Sequence, residues 1–204
     1  MASKTEICNL AISHLGTAKE IADVDTDKSE EALACRRFYE VCKDSMLRDF
    51  AWPFAVRFQA LSLVEENPTD EWAYSYRYPI AAKYIKRILS GHRNDSRQTR
   101  VPYKIVSDSA GRLIYTDQQD AEIEYIADID NANLFTEDFS LAFSYLLASY
   151  IAPRITGGNA FGEMSKMMLD KYAIHLARAK QSAFNEMQVD EEVDSEFIRI
   201  RGGE

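Results

Sequence analysis

Apolar residues recur every three or four positions from the start of this chain. Ile7, Leu10, Ala11, His14 and Leu15 fall on one face. Ser3-Lys4-Thr5-Glu6 ahead of them has the form of a capping box, so the pattern predicts a helix over residues 3–15. Gly16 is a natural stop, because glycine takes the left-handed conformation that ends helices. After a polar, acidic loop over residues 20–27, Ala32, Cys35, Tyr39, Cys42, Met46 and Phe50 hold a second stripe, predicting a helix over residues 28–50.

The period changes at Trp52-Pro53-Phe54. Pro53 cannot continue a helix and biases Trp52 toward extended backbone. Beyond it Val56, Phe58 and Ala60 alternate with Arg57 and Gln59, as in a strand. Asn67-Pro68 reads as a turn. Trp72, Tyr74, Tyr76 and Tyr78 then share one face of another strand, and the stripe Tyr74-Tyr76-Tyr78 reads as the buried or half-buried face of a sheet in preference to a base-stacking platform. Residues 85–89 form a candidate third strand. Residues 102–106 and 112–116 flank a hairpin turn with Gly111 at its left-handed position. Ile123 and Tyr125 alternate with Glu122, Glu124 and Ile126 in a last strand.

Helical spacing returns after Thr136, a candidate N-cap. Phe139, Ala142, Phe143, Leu146 and Tyr150 form a stripe, and Pro153 kinks or ends that helix. After a break at Gly157-Gly158-Asn159, Met164, Met168, His175 and Ala179 line one side of a final helix, with Leu169, Tyr172, Leu176 and Ala183 adjacent. The resulting expectation is an α+β fold: an antiparallel helical bundle from residues 1–54 and 131–188, a small antiparallel β region inserted over 55–130, and an extended C-terminal arm over 189–204. Trp52 and Phe54 are expected to be buried where bundle meets sheet.

Composition narrows the chemistry. At 204 residues with 46% hydrophobic and 28% charged, the chain can bury a sizeable core without disulfides or metals. Thirty-three acids against 24 bases give a net charge of -9, which argues against a protein that grips duplex DNA through clustered cations. No apolar run approaches the roughly 18–20 residues that a membrane span requires, and the polar N-terminus lacks the apolar stretch of a secretory signal. Cys8, Cys35 and Cys42 are an odd number in helical contexts, reading as small buried hydrophobes in a reducing compartment.

No metal or cofactor site is expected. Cys35 and Cys42 lie two turns apart, about 10 Å along a helix, and His14, His92 and His175 are isolated. His14 and His175 read as core histidines and His92 as solvated. Neither a nucleophile elbow nor a phosphate-binding glycine loop is present. Acid pairs leave one enzymatic alternative, a small cell-wall or polysaccharide hydrolase working through two carboxylates. Lys83, Lys86, Arg87, Arg93, Arg97, Arg100 and Lys104 make one basic stretch in this acidic chain. It suits either an acidic or phosphate-bearing partner, with Lys86, Arg87, Arg93 and Arg97 as contacts, or the charged protection of a sheet edge.

Several short motifs, in order, resemble the podovirus tail tubular protein A family, the adaptors between portal and tail in short-tailed phages. They are Asn9-Leu10-Ala11-Ile12-Ser13-His14-Leu15-Gly16, Asp49-Phe50-Ala51-Trp52-Pro53-Phe54-Ala55, Trp72-Ala73-Tyr74-Ser75-Tyr76-Arg77-Tyr78-Pro79, Phe139-Ser140-Leu141-Ala142-Phe143, and Ser195-Glu196-Phe197-Ile198-Arg199. The resemblance spans nearly the whole chain. It implies a structural virion protein, not an enzyme, in a ring of twelve copies. Such a ring would bind the portal protein above and the tail nozzle protein below, with tail fibres as a further partner and DNA only as transiting cargo. Its place would be the virion tail, after assembly in the host cytoplasm.

The C-terminal arm fits such an assembly. Residues 186–196 carry six acids and no base, and apolar Phe197, Ile198 and Ile200 then alternate with Arg199 and Arg201. Phe197 and Ile198 are expected to anchor on a neighbouring subunit or the portal, with Arg199 and Arg201 meeting acidic surfaces, the arm ordering on assembly.

Overall fold

The computed structural model describes residues 3–89, 101–157 and 161–187. Among them four α-helices and seven strands follow in the order α1 (Lys4–His14), α2 (Glu30–Asp49), β1 (Val56–Ala60), β2 (Leu63–Thr69), β3 (Trp72–Arg77), β4 (Ala82–Leu89), β5 (Tyr103–Asp108), β6 (Gly111–Thr116), β7 (Glu122–Ala127), α3 (Glu137–Ile155) and α4 (Phe161–Glu186). The helices begin where short polar side chains can cap them. Ser3 Oγ accepts from the Glu6 N–H at 3.1 Å while a Glu6 carboxylate oxygen accepts from the Ser3 N–H at 2.6 Å. The Ser29 and Thr136 hydroxyls cap α2 and α3 by accepting from the Ala32 and Phe139 N–H groups. Gly16, at φ 78°, ends the first helical segment.

The helix α3 is apolar on every side, and such a helix belongs inside. Phe139, Ala142, Phe143, Leu146, Leu147, Ile151 and Ala152 are buried together with Ser140, Ser144 and Ser149. Tyr150, which the spacing assigns to the same stripe, is exposed instead. The other helices pack around α3. Tyr39 and Trp52 meet Phe143 and Phe139, so α2 and its exit run antiparallel to α3. Ser165 Oγ donates to the Ser149 carbonyl and His175 stacks on Tyr145, so α4 is antiparallel as well. In contrast α1 runs parallel to α3, because His14 meets Ser144 while Glu6 and Leu10 lie beside Glu137 and Leu141.

The expected antiparallel helical bundle with a small inserted sheet is therefore corrected. The fold is α+β, but its β part is two antiparallel sheets of seven strands, and its helices gather around one buried helix in mixed directions. The three-stranded sheet has the order β1-β7-β4, the four-stranded sheet β2-β3-β6-β5. Two features hid this. The first and last strands pair with each other, Val56 opposite Ile126 and Ala60 opposite Glu122, a long-range closure that no local pattern signals. Asn67-Pro68 is not the turn but part of β2. Asn67 sits at φ 52° and the pairing skips between Glu66 and Thr69, so Pro68 occupies an irregularity where its missing N–H breaks no ladder. The chain turns afterwards, between Thr69 and Trp72.

One hydrophobic core runs from the helices into both sheets, through Ile123 and Ile126 on β7, Ile85 and Ile88 on β4, and Tyr76 and Ile114 in the second sheet. Trp52 is the joint. It is fully buried, its ring lies against Phe50, Phe54 and Phe139, and its indole N–H donates to the Met46 carbonyl at 2.7 Å. Phe54 is half-buried beside it.

Candidate functional site

Lys86 and Arg87 are consecutive in β4 and should point to opposite faces of a regular strand. They do not. Ile85 pairs with Tyr125 and Arg87 with Glu124, so Lys86 is the extra residue of a bulge, and both cations reach the same carboxylate. Lys86 Nζ lies 2.8 Å from Glu124, and Arg87 Nε donates to its other oxygen. Glu124 is buried on the central strand β7, where an unpaired carboxylate would be costly. The pair of bases thus neutralises an internal charge first, while about a third of each side chain, 35% and 34%, stays exposed. Arg93, Arg97, Arg100 and His92, like Phe197, Ile198, Arg199 and Arg201, lie outside the described residues.

A second charge cluster centres on Lys43, which the sequence reading did not single out. Lys43 is 1% exposed, and its ammonium lies 2.7 Å from Glu40 and 3.1 Å from both Asp128 and Asp130. Lys83 extends it, 2.6 Å from Asp44 and 2.8 Å from Asp128. Burial opposes the Lys43 charge, but the three carboxylates outweigh it and hold the lysine above its usual range. Burial likewise opposes ionisation of Asp128, and its bonds to Lys83 and Lys43 leave it below the usual carboxylate range. This network ties α2 to β4 and to the chain leaving β7. The one signal for it in the sequence is position: Lys43 follows Cys42 on the edge of the apolar stripe, four residues after Tyr39.

His14 and His175 are half-buried, and the three cysteines are buried. His14 Nε2 lies 3.0 Å from Ser144 Oγ, and the Tyr145 ring is sandwiched between His14 and His175. The cysteines are buried free thiols. Cys35 beside Cys8, together with burial, pushes the Cys8 thiol up, and burial raises Cys42 to about 12. Such thiols are poor nucleophiles. Among the described residues no group of three metal-ligating side chains gathers. A hydrolase acid must hold its proton at working pH. Where the described carboxylates shift, at Asp23, Asp27, Glu31, Asp108 and Asp128, each moves downward.

What the surface does present is apolar. Phe58 on β1 is 62% exposed, and Leu63 and Val64 on β2 are exposed too. Ile80, before β4, is fully exposed beside exposed Val41 of α2, with Arg48, Lys83 and Arg112 lining the same cleft. Met167, Ile174 and Phe184 are exposed on α4, Phe184 at 71%. The tyrosine stripe offers no stacking platform: Tyr76 and Tyr78 are buried, Tyr74 is half-buried, and the Arg112 guanidinium lies 3.9 Å over the Tyr78 ring. Among the described residues no helix is long and apolar enough to cross a membrane. No protein-family model matches this chain, and no curated protein matches it either.

Proposed function

We propose that this protein is a structural adaptor of a short-tailed phage tail. It assembles into a ring, of twelve copies by the resemblance, between the portal and the tail nozzle, and leaves a channel for DNA. Its place is the virion tail, and it assembles in the host cytoplasm. The observation that carries this is the division of exposed apolar side chains between separate elements. Phe58, Leu63 and Val64 stand on β1 and β2, whereas Met167, Ile174 and Phe184 stand on α4. Contiguous apolar exposure marks interaction surfaces, and in this reading each group forms one such surface. Two different surfaces are what head-to-tail contacts need in order to close a ring, whereas a two-fold dimer uses one patch twice.

Other features support the same reading. Three of the segments that carry the resemblance take up determining positions in this fold. Asp49 to Ala55 includes the Trp52 joint, Trp72 to Pro79 covers β3, and Phe139 to Phe143 starts the central helix. A net charge of -9 suits a channel wall that DNA slides past, because like charge prevents phosphate pairing. The exposed parts of Lys86 and Arg87, with Arg93 and Arg97, supply contacts for an acidic partner surface. Phe197, Ile198, Arg199 and Arg201 supply the arm that reaches a neighbouring subunit or the portal. Tail fibres are a further partner.

Light scattering coupled to gel filtration, followed by negative-stain imaging of the protein alone and mixed with its portal, tests this. Rings, or protein decorating one end of portal particles, are expected. A protein that stays monomeric at all concentrations and leaves portal particles bare overturns the proposal.

A further inference from the structure

A groove of about 580 Å³ opens between α1, the loop after it and the first turn of α3. Its floor is apolar, built by Leu10, Ala18 and Leu141, and its rim carries the carboxylates of Glu6, Glu20 and Glu137. Lys19, the one cation among its described lining residues, is drawn off to Glu31, 2.7 Å away, which leaves the rim acidic. Ser140 also lines it. This serine is 3% exposed, and its hydroxyl has no hydrogen-bond partner among the described residues. A buried hydroxyl without a partner is uncommon, since most are paired with protein or water. The groove thus combines apolar surface, negative charge and one free hydrogen-bonding group, the complement of an apolar, basic peptide.

The chain contains one such peptide. Phe197-Ile198-Arg199-Ile200-Arg201 alternates three apolar residues with two arginines. Because α4 is antiparallel to α3, with Ser165 at Ser149 and His175 at Tyr145, the C-terminal end of α4 lies at the same end of the molecule as the first turn of α3. The eleven residues from Glu186 to Phe197 can span up to roughly 35 Å at 3.3 Å per residue. A tethered segment within reach competes at an effective concentration in the millimolar range.

We propose that the groove between α1 and α3 is the docking site of this chain's own segment 197–201. Ile198 and Ile200 cover Leu10, Ala18 and Leu141, and the two arginines meet Glu20, Glu137 and Glu6. The segment's backbone supplies the partner that Ser140 lacks. The free protein therefore holds its arm against itself, whereas composition alone leaves the arm unengaged until assembly. A partner that takes the arm must first displace it. Groove and segment need no ring, so this proposal stands or falls apart from the assembly reading.

Paramagnetic NMR of the full chain tests it. Cys8, Cys35 and Cys42 are buried, so a nitroxide attached at Gly203→Cys marks the end of the arm selectively. In dilute protein the amide signals of Leu10, Ala18 and Leu141 should lose most of their intensity, and regain it when the label is reduced. The same loss should disappear in the variant carrying Glu20→Lys and Glu137→Lys, both exposed positions, and in Ile198→Asp with Ile200→Asp. Unchanged signals in the labelled protein overturn the proposal. So does an equal loss when spin-labelled unenriched protein is mixed with unlabelled isotope-enriched protein, which assigns the groove to a second copy.

Discussion

His14 and Tyr145 stack face to face, with ring centroids 3.9 Å apart and planes within 8°. His175 stacks on the opposite face of the same tyrosine at 4.8 Å, so three helices meet through one column of rings. Burial lowers the His14 pKa from 6.5, and the nearby His175 lowers it further. Burial also lowers His175, with Arg178 and Lys171 adding to the effect and Asp138 opposing it. Each histidine thus binds its proton less readily in the fold than in the unfolded chain. Stability from this column is present above about pH 6.5 and is lost as pH falls through the lower folded values. Urea midpoints measured between about pH 7.5 and 5.5 should fall more steeply for the wild type than for His14→Phe with His175→Gln.

Trp52→Ala should cost about 3–5 kcal/mol, because it empties the joint between helices and sheets. Trp52→Phe keeps most of the packing but leaves the Met46 carbonyl without the indole N–H, at a cost of about 1–3 kcal/mol. Denaturant midpoints for the two variants check both the size and the order of these losses.

Replacing Glu124 with Ala strands Lys86 and Arg87 on one side of a bulge. Both cations are partly solvated and can turn outward, so the cost is placed at about 2 kcal/mol, below that of a fully buried pair. Lys86→Ala alone leaves Arg87 on Glu124 and should cost about 0.5 kcal/mol, in the range of an exposed ion pair. Thermal unfolding of the two variants, with the double variant closing the cycle, measures the difference.

Gly111, at φ 137°, ends the two-residue turn between β5 and β6 and lies 3.8 Å, by its missing Cβ, from the Arg77 guanidinium. Space is not the obstacle there; backbone conformation is. Gly111→Ala should cost about 1–3 kcal/mol through strain. It should also loosen the ion pair between Arg77 and Asp108, whose nitrogen and oxygen are 3.0 Å apart, seen as faster amide exchange at residues 107–112.

By itself the sequence determined the elements whose causes are local. Helix ends follow from Ser3, Thr136 and Gly16, each acting within a few residues, and their positions agree with the capping geometry. The same holds for the Gly111 hairpin and for the switch of period at Pro53. Burial of Cys8, Cys35, Cys42 and Trp52 was legible too, because large or apolar side chains at helical spacing have few other places to go. Tertiary structure decided everything that depends on partners distant in the chain. The pairing of β1 with β7 divides the strands into two sheets, and α1 lies parallel to α3. The bulge that turns Lys86 toward Glu124 exists only because β7 arrives beside β4. Lys43 stays charged inside because Asp128 and Asp130, more than eighty residues away, come to meet it. Periodicity states which face of an element is apolar; it carries no information about which other face, or which charge, will cover it.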